Sequence, residues 1–204
     1  MVPIILLVQL AATVSTISLF LSGVPMVRRI VAVGDVGSVS CVPWLTQIAN
    51  CLMWLKYGML VGDPMILGVN SVGVLTAVYY VWIYAHYAKS AAFVQKLYRT
   101  AVLVFTPLVL VQFSDTYEHA VLFMGYFSSI LSVLLFGSPL VHAFNVIRSG
   151  SSKSMNTMQS LASFVCAGSW AVYGVLIADG FVLFPNALGS LLGALQLVLL
   201  VAYA

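Results

Sequence analysis

The sequence predicts an all-α membrane protein with seven transmembrane helices, arranged as two parallel three-helix repeats joined by a linker helix (3+1+3). Three observations predict it. The 204 residues are 62% hydrophobic and only 6% charged, where a soluble domain carries about 25% charge. Eight Lys/Arg and five Asp/Glu cannot cover a water-facing surface of this size, so the solvent is lipid. Apolar runs long enough to cross about 30 Å of hydrocarbon recur along the whole chain. The third observation is a duplication. "MWLKYGMLVGDPMILGVNSVG" (53–73) and "SWAVYGVLIADGFVLFPNALG" (169–189) match without a gap. One offset of 116 residues pairs Trp54 with Trp170, Tyr57 with Tyr173, Gly58 with Gly174, Asp63 with Asp179, Asn70 with Asn186 and Gly73 with Gly189. An internal repeat of this kind governs the reading of the fold.

Seven spans follow in order, at about 2–27, 41–60, 65–87, 98–113, 120–147, 156–178 and 181–203. The breaks carry charge, Gly or Pro: "RRIVAVGDVGS", "VGDP", "AKSAAFVQKLYR", "SDTYEH", "RSGSSKS" and "ADG". The runs are continuous rather than alternating, which argues against a β-barrel. The N-terminus has no basic region ahead of its apolar run, which favours a first span over a cleaved signal peptide. Links after odd-numbered spans hold Arg28, Arg29, Lys89, Lys96, Arg99, Arg148 and Lys153. Links after even-numbered spans hold Asp63, Asp115, Glu118 and Asp179, with no Lys or Arg. Positive charge collects on the cytosolic side, so the N-terminus is expected outside and the C-terminus in the cytosol. Lys56, one turn from the outer end of its span, can snorkel.

Topology then follows from counting. Two adjacent three-span repeats would face opposite ways, yet the charges put Asp63 and Asp179 on one side. One further span must invert the second repeat. "YRTAVLVFTPLVLVQFSD" is short, contains Pro107 and has no copy elsewhere. The expected domains are 1–90 (first repeat), 91–116 (linker helix) and 117–204 (second repeat).

The duplicated residues also mark depth. At about 1.5 Å per helical residue, Asn70 lies about 10 Å in from Asp63, and Trp54 about 13 Å in. Asn186 and Trp170 repeat both positions, near the midplane, where carriers commonly bind cargo between repeats. Two amides offer donors and acceptors together, and two indoles offer flat apolar faces. A sugar, with hydroxyls on its rim and C–H groups on its faces, suits that set. Asn50 and Cys166 correspond at the same offset, one turn before each Trp, and are expected to line the same pocket. A lone Asn in a membrane helix is commonly interhelical glue and a lone Trp an interfacial anchor; a duplicated midplane set favours a ligand.

Pro25, Pro43 and Pro139 form a second set in the cytosolic halves of spans 1, 2 and 5. Proline removes a helical hydrogen bond and permits bending. Three such points at one level suggest the hinge layer of an inner gate; static kinks are the plainer alternative.

Together these residues resemble the SWEET family of sugar transporters, over essentially the whole chain. The most specific parts are "WLKYG…GD…N", "WAVYG…D…PN", "LSGVPMVRRI", "SVSCVP" and "FGSPLVHAFNVI". The resemblance implies that Asn70, Asn186, Trp54 and Trp170 bind sugar, that Asn50 and Cys166 tune selectivity, and that Tyr57 and Asp179 close an outer gate. It implies four hinge prolines. Aligning "SVSCVP" with "SMNTMQ" puts Gln159 at the fourth; if bending there is optional, a proline at that position is expected to be tolerated. The Asn50–Cys166 pair is similar to animal members. The resemblance also implies a homo-oligomer in the plasma membrane or Golgi.

The remaining features narrow the class. A net charge of +3 is loop charge, so no nucleic acid partner is expected; the partners are a glucose-like sugar and membrane lipid. Cys41, Cys51 and Cys166 all fall within apolar runs, so no disulfide framework is implied. No Ser/His/Asp set or metal cluster appears at depth, so neither an enzyme nor a cofactor is expected. Asp35, Asp63, Asp115, Glu118 and Asp179 all read as loop or helix-end residues, and His142 is the one titratable group well inside a span. Ion-coupled carriers usually keep an ionisable relay at the midplane; its absence from the sequence points to a bidirectional uniporter. Two alternatives stand beside this reading. One is a PQ-loop-type carrier of amino or organic acids, although Pro43 is followed by Trp44 and no PQ dipeptide occurs. The other is a seven-helix receptor or scaffold, which has no need of a 3+1+3 repeat.

Overall fold

In lipid, backbone polar groups must be satisfied within the segment that carries them, which favours helices wherever the chain is continuously apolar. The computed structural model describes every residue except Met1, Lys89, Phe136, Ser154 and Ala204. The side chains of Val2, Gly137, Ser138, Pro139 and His142 are also outside the described residues. Pro139, expected as a hinge residue, and the titratable His142 therefore lie outside them at side-chain level. The described residues form α1 (Val2–Leu21), α2 (Val24–Val33), α3 (Val42–Val61), α4 (Pro64–Tyr87), α5 (Ala91–Leu110), α6 (Tyr117–Leu134), α7 (Gly137–Ser149), α8 (Thr157–Leu176) and α9 (Gly180–Ala202). A 3₁₀ turn, Val111–Phe113, extends α5.

In chain order, α1–α2, α3, α4, α5, α6–α7, α8 and α9 take the places of the seven spans. Among the described residues, five stretches are long and apolar enough to cross a membrane: Pro3–Val33, Pro64–Tyr87, Ala91–Phe113, Thr157–Leu176 and Gly180–Ala202. The α3 helix is long enough but carries Gln47, Asn50 and Lys56, which lower its hydropathy. Span 5 is divided between α6 and α7.

Two helices run beyond the apolar spans read in the sequence. The linker helix begins at Ala91, ahead of the apolar run at 98–113, because Ser90 Oγ accepts from Ala92 N at 3.2 Å and caps it. Likewise α2 runs on past Arg28 and Arg29 to Val33. Charge ends an apolar window, but Lys and Arg are good helix formers and do not end a helix.

The prolines stand mostly at helix starts. Pro25 and Pro43 occupy the first turn of α2 and α3, where the missing N–H would have no helical partner anyway. Span 1 is interrupted at Ser22–Gly23, just before Pro25, whereas Pro43 opens α3 and bends no helix. Gln159 is also in a first turn, but its N–H donates to the N-cap, Asn156 Oδ1, at 3.1 Å. A proline could not make that bond, so Gln159→Pro is expected to lose the capping contribution, about 0.5–2 kcal/mol.

Contacts divide the chain into two compact units, Phe20–Ser128 and Met1–Leu19 with Ser129–Ala204. These packing units differ from the sequence repeats, since their borders fall inside α1 and α6. In the first, α2, α3 and α4 share a core of Val27, Ile30, Cys41, Trp44, Leu45, Tyr80, Val81 and Tyr84. Tyr80 donates its hydroxyl to Phe20 O at 3.1 Å, one of the carbonyls that the end of α1 leaves without a helical donor. In the second unit α8 and α9 pack most closely. Pro185 deprives Phe181 O of its helical donor, and Ser129 Oγ donates to that carbonyl at 3.0 Å.

Candidate functional site

The duplicated motif builds one local structure twice, once in each unit. It starts at a tight turn. Asp63 N donates to Gly58 O at 3.1 Å, and Asp179 N donates to Gly174 O at 2.9 Å. The residue before each Asp is left-handed, Gly62 at φ 70° and Ala178 at φ 54°. Each Asp then caps the next helix. Asp63 Oδ1 accepts from Met65 N and Ile66 N at 2.8 and 2.9 Å. Asp179 Oδ1 accepts from Phe181 N and Val182 N at 2.9 and 3.1 Å. A carboxylate at a helix N-terminus also meets the positive end of the helix dipole.

Seven residues on, about two turns, the amide repeats. Asn70 Nδ2 donates to Ile66 O at 2.8 Å, and Asn186 Nδ2 donates to Val182 O at 2.8 Å. Each bond ties one N–H to the helix carbonyl one turn back and fixes the amide's rotamer. The amide oxygen and the second N–H are what each Asn has to offer a ligand. Asn70 is buried and Asn186 half-buried.

The aromatic pair repeats as well. Trp54 and Tyr57 meet edge to face, with centroids 5.6 Å apart and planes at 90°. Trp170 and Tyr173 do the same at 5.7 Å and 86°. All four rings are less than one-tenth exposed. Edge-to-face packing holds an indole's plane fixed, so each ring presents a constant face.

Gly58 and Gly174 explain how closely the paired helices approach. A Cβ on Gly174 would lie 2.7 Å from Leu183 N, and one on Gly58 2.9 Å from Ile66 Cγ2. Small residues at such crossings let membrane helices approach closely, against backbone at Gly174 and against a side chain at Gly58.

Within their units, Trp54 is thus brought against Tyr57, and Trp170 against Tyr173. Asn50 and Cys166, one turn before each Trp, are half-buried on α3 and α8. Of the expected gate residues, Tyr57 is buried in the Phe20–Ser128 unit, and Asp179 belongs to the other as a helix cap. Pro25, Pro43 and Gln159 are exposed.

One member of the arrangement was missed in the sequence. Thr16, on α1, accepts the indole N–H of Trp170 at 2.8 Å and meets Cys166 Sγ at 3.2 Å. The repeat offset pairs it with Ser132, a hydroxyl but not an identity. The available signal was a hydroxyl in an apolar first span, shared with Ser15 and Ser18.

Comparison with known proteins agrees with the doubled geometry. A family model described as "Sugar efflux transporter for intercellular exchange" matches residues 6–92 and 122–204. The sugar transporter SWEET1 of Dictyostelium discoideum is 31% identical over 96% of this chain and 92% of its own length. The bidirectional sugar transporter SWEET2b of Oryza sativa subsp. indica is 33% identical over 96% and 88%. A solved 3.7 Å structure of a eukaryotic SWEET transporter superposes with a TM-score of 0.85 at 33% identity, covering 98% of this chain and 96% of that one.

Proposed function

Because the chain belongs to the SWEET family of sugar transporters, we propose that it carries a mono- or disaccharide across a membrane, in both directions, by alternating access. It is an integral membrane protein with the family's seven-helix, 3+1+3 fold, and a carrier rather than an enzyme. The observation that carries the proposal is the half-site built twice, with an Asn amide and an edge-packed Trp at matching positions. In this reading Asn70 and Asn186 bond the sugar's hydroxyls, and Trp54 and Trp170 meet its C–H faces. Asn50 and Cys166 adjust what fits, Tyr57 and Asp179 close the outer side, and Pro25 and Pro139 bend the inner side. The N-terminus is outside and the C-terminus cytosolic. The plasma membrane or the Golgi is the site of action, and the carrier works as a homo-oligomer.

Uptake of radiolabelled D-glucose into proteoliposomes tests this, with L-glucose as the control. Each Asn offers hydrogen bonds that no apolar neighbour replaces, so Asn70→Ala and Asn186→Ala are each expected to cut uptake about tenfold or more. Wild-type uptake by either variant at equal incorporation would remove that Asn from the binding set.

A further inference from the structure

We propose that Thr16 is a positioning residue for Trp170: its hydroxyl fixes the indole and the neighbouring thiol together, and so sets the face that the second half-site presents to a sugar. The inference rests on the sugar-carrier reading above and deepens it.

A threonine hydroxyl has one hydrogen to give and two lone pairs to receive. Thr16 is buried at 8% exposure, and all three are engaged. Its O–H lies 2.6 Å from Ala12 O, one turn back on α1, and donates there. An indole nitrogen can only donate, so Trp170 Nε1–H at 2.8 Å takes one lone pair. With the hydroxyl hydrogen already directed to Ala12, the Cys166 thiol at 3.2 Å is the donor in the third contact. All these residues belong to one packing unit.

Three consequences follow. The Trp170 N–H is used inside the protein, so the part of this residue left for a sugar is its ring face. The ring is held at two places, by Thr16 at the nitrogen and by Tyr173 at the edge, which sets the plane of that face. The thiol of Cys166, one turn before Trp170 and so on the same face of α8, is oriented by the same oxygen. At the 116-residue repeat offset Thr16 corresponds to Ser132, which also carries a hydroxyl, and Cys166 corresponds to Asn50. The two half-sites therefore differ in the thiol rather than in the hydroxyl.

The test separates this role from a merely structural one. Thr16→Val keeps the shape and removes the acceptor; Thr16→Ser keeps the acceptor. Each is measured in proteoliposomes for the KM and maximal rate of D-glucose exchange, in the native background and in Trp170→Phe, which has no N–H to hold. The expected result is a KM raised about fivefold by Thr16→Val, a near-native maximal rate, near-native values for Thr16→Ser, and no added effect of Thr16→Val in Trp170→Phe. An unchanged KM in Thr16→Val, or the same rise in both backgrounds, overturns the role of Thr16 while leaving the carrier reading intact. Native KM in both Trp170→Phe and Trp170→Ala overturns the sugar-binding role of Trp170 itself, and the inference with it. A second readout needs no transport. The indole N–H resonance of Trp170, assigned by its loss in Trp170→Phe, should shift in Thr16→Val and hold in Thr16→Ser; no shift in Thr16→Val refutes the bond. Thr16→Ala replaces Thr16→Val in both measurements if the valine variant does not fold.

Discussion

Asp179 carries two assignments that a single substitution would confuse. Its Oδ1 caps α9 through two backbone N–H groups, and it is proposed to close an outer gate. Asn presents the same oxygen to the cap but no charge, whereas Ala removes the cap at a cost of about 0.5–2 kcal/mol. Asp179→Asn is therefore expected to keep thermal stability and slow sugar exchange; Asp179→Ala is expected to lower both. Asp63 makes the same cap without a proposed gate role, so Asp63→Asn should change neither. Thermal unfolding in detergent, read beside exchange rates, checks all three. Transport that falls only in step with stability would leave Asp179 a cap alone. At this scale, what could be read from the sequence was what occurs twice. Asn70, Asn186, Trp54 and Trp170 announce themselves by their copies. Thr16 does not, because its importance lies in which indole it meets, and that depends on packing between distant parts of the chain.

The two duplicated turns differ at the left-handed residue, and the difference has a predictable sign. Gly62 and Ala178 both adopt left-handed conformations, where a Cβ crowds the following carbonyl by about 1 kcal/mol or more. Glycine loses more entropy on folding, which offsets part of the gain. Ala178→Gly should therefore stabilise the α8–α9 hairpin by less than about 1 kcal/mol, and Gly62→Ala should destabilise α3–α4 by about 1 kcal/mol. Tryptophan-monitored thermal unfolding of the two variants should shift in opposite directions; shifts of the same sign would show that something other than the turn decides. The existence of these helices was legible from hydrophobicity, and the turn position from "VGD" and "ADG". Their ends were less so. The α5 start at Ala91 and the run of α2 through Arg28 and Arg29 reflect caps and helix propensity, which a hydropathy window does not register. Gln159 shows the same limit: aligned with a proline, it has a backbone N–H with a capping partner.

For the whole molecule, the repeat and the span count were legible because lipid imposes continuous apolar runs and duplication leaves identities at one offset. The packing units were not. The sequence repeats reflect duplication of the chain, whereas α1 and α6 each divide between units because side-chain contacts decide packing. The charge pattern supports the last prediction. Asp63 and Asp179 are helix caps, Glu118 is in the first turn of α6, and Asp35 and Asp115 lie in connections. A proton- or sodium-coupled carrier needs a group whose charge changes along the path, and such groups are expensive in a membrane unless a cycle uses them. The proposed binding residues are uncharged, and a sugar brings no charge of its own. Coupling would thus have nothing to act on among the carboxylates, leaving His142 as the candidate relay within a span. Uniport is the expected outcome: with imposed pH or potential gradients, D-glucose in proteoliposomes should reach the same level inside and out, at rates independent of the gradient's direction. Accumulation above that level under a pH gradient, abolished in His142→Gln, would replace uniport with proton coupling through that histidine.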